Sequence, residues 1–303
     1  MIPPSMMYMI ALIMLGYILA ILGLKRIVGP ILSKVVFYYF LPIIMFNAFA
    51  KAKLGYEFYA IVALVIFYIA VGLLVSLIYA RFRKLDPPTT ASVVISSVFQ
   101  NTAFMPFPIA LALYGNITPC AVYSFTLTTI HYPTIGVLAA IVDRKGNVLY
   151  NAVKKLITMP VIPAGFIGIA CNMIGATKYF PQNIMEVIGF ISVFGVYLSA
   201  IVVGTGLPHP KDVSRKIEDY IFFILGWRHI LSVLIHIILA SLIISRSIWF
   251  KQVMLEAIMP PATGNTVVAF VYGFNVEAVA KSTVLSTVIS LVQVTLLLLL
   301  GVL

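Results

Sequence analysis

Two apolar runs of membrane-spanning length are each interrupted midway by prolines set among polar side chains, and they occupy matching places in the two halves of the chain. The first reads Ser96-Ser97-Val98-Phe99-Gln100-Asn101-Thr102-Ala103-Phe104-Met105-Pro106-Phe107-Pro108, the second Glu256-Ala257-Ile258-Met259-Pro260-Pro261-Ala262-Thr263-Gly264-Asn265-Thr266. Proline inside a helix deletes a backbone donor and crowds the carbonyl one turn back. Hydrocarbon supplies no water to satisfy the groups set free, so such an interruption persists only where it lines a cavity. A matched pair near the bilayer midplane points to the binding site of a secondary transporter.

Hydrophobic residues make up 62% of the 303 and charged residues only 10%, with a mean hydropathy of +1.10. No soluble fold buries that much apolar surface, which makes the chain an all-α polytopic membrane protein. The net charge of +11 does not signal nucleic acid, because the basic residues stand singly or in small groups at the ends of apolar runs.

Runs of about 20 apolar residues predict ten spans, near Met6–Leu24, Val35–Ala50, Phe58–Tyr79, Ala91–Tyr114, Thr118–Ile141, Leu156–Ile174, Ile184–Val203, Tyr220–Ile244, Trp249–Tyr272 and Val276–Leu303. Loop charge orients them. The loops after the odd spans hold Lys25, Arg26, Lys34, Arg81, Arg83, Lys84, Arg144, Lys145, Lys154, Lys155, Lys211, Arg215, Lys216 and Lys281. The opposite loops hold only Lys51, Lys53, Lys178, Arg246 and Lys251, with Arg228 inside a span. The positive-inside rule makes the odd loops cytoplasmic and places both termini outside, in a cell membrane. Lys25-Arg26 after the first span, with no basic region before it, suits a reversed anchor better than a cleaved signal.

A connection at residues 143–155 then separates a first five-span repeat, 1–142, from a second, 156–303, inserted with opposite topology. Aligning Tyr114-Gly115 with Tyr272-Gly273 brings Ile117 to Ile130 onto Val276 to Ile289 and Ala121 onto Ala280. Hydropathy, interrupted span and Tyr-Gly stop fall in register, which describes an inverted repeat whose helices four and nine are broken and cross.

Each break leaves the following half-helix with exposed amide donors and a partial positive charge, suited to a carboxylate. Asn101 and Asn265 lead the candidate ligands, followed by Gln100, Thr102, Thr263 and Thr266. The competing role for the two asparagines is to cap the freed backbone groups. Pro106, Pro108, Pro260 and Pro261 read as hinges of the crossing, with Gly264 permitting close backbone approach.

Other polar residues lie at membrane depth. Arg228 either compensates charge near the substrate or, nine residues past Asp219, snorkels to the surface. His236 and His131 either carry a coupled proton or are neutral and hydrogen-bonded to neighbouring helices. Glu256 is a proton or cation site, or an acid near the outer end of its span in an N-cap-like role.

The stretches Phe40-Leu41-Pro42-Ile43-Ile44-Met45-Phe46-Asn47-Ala48, Asn101-Thr102 with Met105-Pro106-Phe107-Pro108 and Leu111-Ala112-Leu113-Tyr114-Gly115, and Met259-Pro260-Pro261-Ala262-Thr263-Gly264-Asn265 with Tyr272-Gly273 resemble the auxin efflux carrier family. That family includes plant PIN-FORMED exporters and prokaryotic permeases, and is distantly related to the bile acid:sodium symporters. The resemblance implies a scaffold of helices 1, 2, 6 and 7, which often dimerises, and a transport domain of helices 3–5 and 8–10. It implies elevator-type alternating access, with Phe46, Asn47 and Tyr197 of the scaffold facing the site.

The expected function is therefore transport of a small organic anion, an auxin-like aromatic acid or a dicarboxylate, with proton or sodium coupling or as uniport. An ion-conducting channel is the alternative, although polar residues are too localised to line a continuous pore. No enzymatic activity, cofactor or metal is expected. Cys120 and Cys171 lack partners at metal-ligand spacing, and no Gly-rich loop follows a strand. A disulfide between the two cysteines is conceivable, since both fall near outer span ends.

Overall fold

The computed structural model describes residues 4–143, 159–207 and 217–303. The expected connection, including Arg144, Lys145, Lys154 and Lys155, and the basic residues Lys211, Arg215 and Lys216 lie outside them. Among the described residues fourteen α-helices occur in chain order: α1 Pro4–Leu19, α2 Lys25–Val35, α3 Leu41–Ala50, α4 Tyr56–Phe82, α5 Pro87–Val98, α6 Pro106–Tyr114, α7 Thr118–Asp143, α8 Val161–Met173, α9 Gln182–Gly206, α10 Asp219–Gly226, α11 Ser232–Ile243, α12 Ile248–Ala257, α13 Gly264–Val271 and α14 Val276–Leu299. Among the described residues there is no strand, only an isolated bridge.

Seven segments among the described residues are long and apolar enough to cross a membrane: Pro4–Leu24, Ile27–Ala50, Tyr56–Phe82, Thr118–Val142, Gln182–Gly206, Asp219–Ile243 and Val276–Leu299. This is fewer than the ten anticipated, because the fourth and ninth runs are each two half-helices and the sixth is described only as the 13-residue helix α8. The second span begins earlier than hydropathy alone suggested, since Lys34 sits within a continuous helix from Ile27.

Local chemistry explains the irregularities. Gly23, at φ +83°, ends the first helix in a conformation that side chains disfavour. Pro42 crowds the carbonyl of Tyr38 one turn back, and the widened π turn Val36–Phe40 absorbs that crowding. A second π turn, Trp227–Leu231, joins α10 to α11 and contains Arg228.

Two compact units result. One comprises Met1–Tyr59, Thr102–Phe125 and Ile157–Leu207. Its tightest crossing is α1 against α9, where a Cβ added to Gly204 would lie 1.9 Å from the Ile13 carbonyl oxygen and one added to Gly16 would lie 2.1 Å from that of Ile201. Glycine at both positions lets the backbones meet, the small-residue packing that drives association where lipid is as apolar as leucine. In the same unit Asn172 ties α8 to the end of α3, donating to the Phe49 and Ala52 carbonyls at 2.7 and 2.6 Å. Cys120 is buried and Cys171 half-buried, and they form no disulfide.

The other unit comprises Ala60–Asn101, Thr126–Leu156 and Pro208–Leu303. Asp86 caps α5 by accepting from the Thr89 amide, with Pro87 and Pro88 in the first turn, where a missing N–H costs nothing. α5 is buried over most of its length, with Val93 packed on Ile221 and Ile224 of α10. The unit also holds ion pairs: Arg83 pairs with Asp219, and Lys281 with Glu218 and Glu277 at 3.0 Å each. Lys281, read from sequence as a loop residue, therefore lies inside α14 and is neutralised there by acids.

Candidate functional site

The two interrupted runs meet. Phe99 to Asn101 and Pro260 to Ala262 lie side by side as a single antiparallel bridge, in which the Asn101 amide donates to the Pro260 carbonyl at 2.8 Å and the Ala262 amide donates to that of Phe99 at 3.0 Å. Gln100 and Pro261 form the non-hydrogen-bonded pair of this bridge. That position asks nothing of the nitrogen of residue 261, so proline is tolerated where it would break a longer ladder.

The helix ends at this crossing leave carbonyls that lipid cannot satisfy, and protein groups take every one from Ser97 to Phe99 and from Glu256 to Pro260. Tyr68 of α4 donates its hydroxyl to Val98, 2.9 Å away, with the Ser97 carbonyl at 3.3 Å. Asn265 Nδ2 bridges the Ile95 and Phe99 carbonyls at 3.0 Å each. On the other run, Gln100 Nε2 donates to Glu256 at 3.3 Å, and Ser290 of α14 donates to Ile258 at 2.6 Å.

Arg228 completes the set. Its side chain is fully buried, one terminal nitrogen donating to Tyr68 Oη and to Gln100 Oε1 at 2.9 Å, the other to the carbonyls of Ala257 and Met259 at 3.2 and 2.9 Å. The C-termini of α5 and α12, each with about half a negative charge, thus converge on one guanidinium. The snorkelling alternative is corrected by this placement. The π turn carries the side chain inward, and a planar fork matches two diverging helix ends better than solvent would.

Other anticipated residues fall around the same crossing. Glu256 occupies the last turn of α12 and is fully buried, so the N-cap-like role near the outer end does not apply. His131 stacks on Phe99, with ring centroids 4.2 Å apart, and lies beside the Asn265 amide. His236 is fully buried, its Nδ1 2.7 Å from the Ser232 carbonyl one turn back in its own helix and its ring 4.7 Å from that of Tyr68.

The starts of the second half-helices differ from expectation. Pro106 and Pro108 do not interrupt a helix but occupy the first turn of α6, where they remove two amide donors, and the Phe107 amide between them bonds to Ala103 at 3.3 Å. α6 therefore keeps its dipole but presents almost no free donors. α13 begins at Gly264, with the Asn265 and Thr266 amides turned back to Ala262 and Thr263. A Cβ on Gly264 would meet no atom within 4 Å, so no close approach within this protein demands glycine there.

Of the six anticipated ligands, Gln100, Asn101 and Asn265 are brought together at the crossing and buried, whereas Thr263 is exposed and Thr266 half-buried at the start of α13. Thr102 pairs with Ser124 at 2.8 Å in the other unit. There Asn47 lines a cavity of about 330 Å³ with Lys51 and Thr118, its Oδ1 buried without a partner. Phe46 packs near Phe180, ring centroids 6.4 Å apart, and Tyr197 is partly exposed. Tyr68 and Ser290 escaped the sequence reading. The only signal for Ser290 was the serine spacing 282, 286, 290 on one face of the last helix.

A sequence model of the family described as membrane transport protein, which takes in the auxin efflux carriers, matches residues 4–298. This chain belongs to that family. Two archaeal relatives are similar to this membrane transport protein over nearly their whole length. An uncharacterized transporter of Methanothermobacter thermautotrophicus is 24% identical over 295 residues, 95% of each chain, and one of Methanocaldococcus jannaschii is 24% identical over 292 residues, 94% of each. Membership fixes the broad role, an integral membrane transporter, and the crossing is a heavily built polar feature within it.

The geometry makes Asn265 a structural cap. With both amide hydrogens committed to carbonyls, it donates to a ligand only by releasing the end of α5. Asn265→Asp sets a carboxylate against two carbonyls and is expected to destabilise the protein by about 2–4 kcal/mol, more than Asn265→Ala. Thermal melts of the two variants in detergent check this order; equal melting temperatures for Asp and wild type would remove the cap.

Proposed function

We propose that the protein is a secondary carrier of a small organic anion, working by alternating access around the crossing of its two interrupted helices. The observation that carries this reading is the complete satisfaction of the broken ends. A gap in which Arg228, Tyr68, Gln100, Asn265 and Ser290 hold the carbonyls of two runs is a maintained opening in the membrane-embedded chain. Because the negative helix ends are already compensated by Arg228, the field left over within this unit is that of the positive start of α13, which favours a carboxylate.

The ligand set is then Asn101, Thr263 and Thr266 with the Gly264 backbone, rather than Asn265. In this reading the chain has ten spans arranged as an inverted repeat, both termini face outside the plasma membrane, and the carrier works as a homodimer by elevator-type movement. Two internally compact units, one holding the whole backbone bridge, support such a movement. An auxin-like aromatic acid and a short dicarboxylate both suit that dipole, and coupling is to protons or sodium or is absent.

Purified protein in proteoliposomes tests the class and the charge rule together. Uptake of a carboxylate saturates and shows counterflow, and the corresponding amide competes about tenfold or more weakly, as expected for loss of a charged hydrogen-bond acceptor. Non-saturating flux without counterflow would point to a pore, and equal competition by the amide would remove the anion from the proposal.

A further inference from the structure

A groove in the second unit borders the crossing at Ile258 and otherwise runs along helix surface to which no transport role has been given. It encloses about 420 Å³ between α11, α12 and α14, walled by Ile237, Met254, Ile258 and Leu297, with Arg246 and Lys251 among its lining residues. Three features set the chemistry of an occupant. The wall is apolar along about 10 Å of helix, the axial distance from Lys251 to Ile258 at 1.5 Å per residue. Ile237 on that wall is 42% exposed, so the groove opens on the flank of a membrane-crossing helix rather than into the protein. The two cations share one end, flanking Trp249 and Phe250 at the start of α12, where aromatic rings mark the membrane interface. Neither cation has an ion pair among the described residues, and no carboxylate lines the groove.

An apolar slot opening to lipid, with two uncompensated cations at headgroup level, is complementary to one molecule with a negative head and a hydrocarbon tail. We propose that this groove binds an anionic phospholipid, its phosphate held by Arg246 and Lys251 and one acyl chain laid against Ile237, Met254 and Leu297. Arginine and lysine at headgroup depth draw acidic lipids by charge, and a guanidinium grips a phosphate through two parallel hydrogen bonds. The inner end of the slot is Ile258, whose carbonyl is held by Ser290 at the broken end of α12. A bound chain would therefore brace the helix end that carries the crossing, making lipid composition a determinant of the unit's stability.

Thermal melts of delipidated protein in detergent test this with three additives: phosphatidylglycerol, phosphatidylcholine with the same acyl chains, and glycerol 3-phosphate. Phosphatidylglycerol is expected to raise the melting temperature by about 2–4 °C over phosphatidylcholine, with no effect of glycerol 3-phosphate. The preference disappears in the double variant R246Q/K251Q. It also disappears in Ile237→Trp, which fills the slot from its lipid-exposed side and keeps both charges, so the test survives if the double variant folds poorly. Equal shifts from the two lipids would show that head charge is not read. A shift from glycerol 3-phosphate matching the lipid would make this a small-anion site, and a preference surviving in either variant would move the lipid elsewhere. Each of these outcomes overturns the proposal.

Discussion

Arg228→Met is expected to lower the melting temperature by about 6–20 °C and to abolish the carboxylate flux proposed for this protein. The side chain is fully buried and donates to carbonyls on α12, to Gln100 Oε1 and to Tyr68 Oη, so its removal orphans several polar atoms at once. Breaking a buried charged network typically costs about 3–5 kcal/mol, and each kcal/mol shifts the midpoint of a protein this size by about 2–4 °C. Two negative helix ends also lose the charge that holds them together. Arg228→Lys separates charge from geometry. An ammonium restores the positive charge but cannot span both helix ends with two nitrogens, and recovery of less than half the lost stability is expected. Melting curves in detergent and uptake in proteoliposomes read the two effects; a lysine variant with wild-type values in both would show that the fork is not needed.

Gly204→Ala is expected to destabilise by about 3 kcal/mol or more, with Gly206→Ala on the same helix as its control. The new methyl would sit 1.9 Å from the backbone oxygen of Ile13, where no side chain can swing aside, so α1 and α9 must move apart along their contact. At Gly206 a Cβ meets nothing within 4 Å, and a change of no more than about 0.5 kcal/mol is anticipated. Thermal melts of both variants decide the matter: similar midpoints would mean that the Gly16–Gly204 approach contributes little.

The breaks themselves were legible, because prolines and amides inside apolar runs have no other economical reading in a membrane. Their neighbourhood was not. Pro106 and Pro108 read as interruptions, yet the preceding residues unwind and the prolines begin the next helix, a distinction that depends on which turn they occupy. Arg228 was conspicuous in a span, but its partners come from positions 68, 100, 257 and 259, and no local pattern joins them. Asn265 reads from sequence first as a ligand and second as a cap, and only its two acceptors at the end of α5, far away in the chain, reverse that order. Nothing local marks Tyr68 among the aromatics of its apolar helix, since the carbonyls that need its hydroxyl lie 29 and 30 residues further on.

The two backbone hydrogen bonds between Phe99–Asn101 and Pro260–Ala262 have a mechanical corollary. They clasp the interrupted strands crosswise, so neither can flex at its prolines without dragging the other. In the carrier proposed here, a cargo resting on these residues would travel with the whole clasped body, its speed set by how that body slides as one piece, not by the stiffness of any single joint.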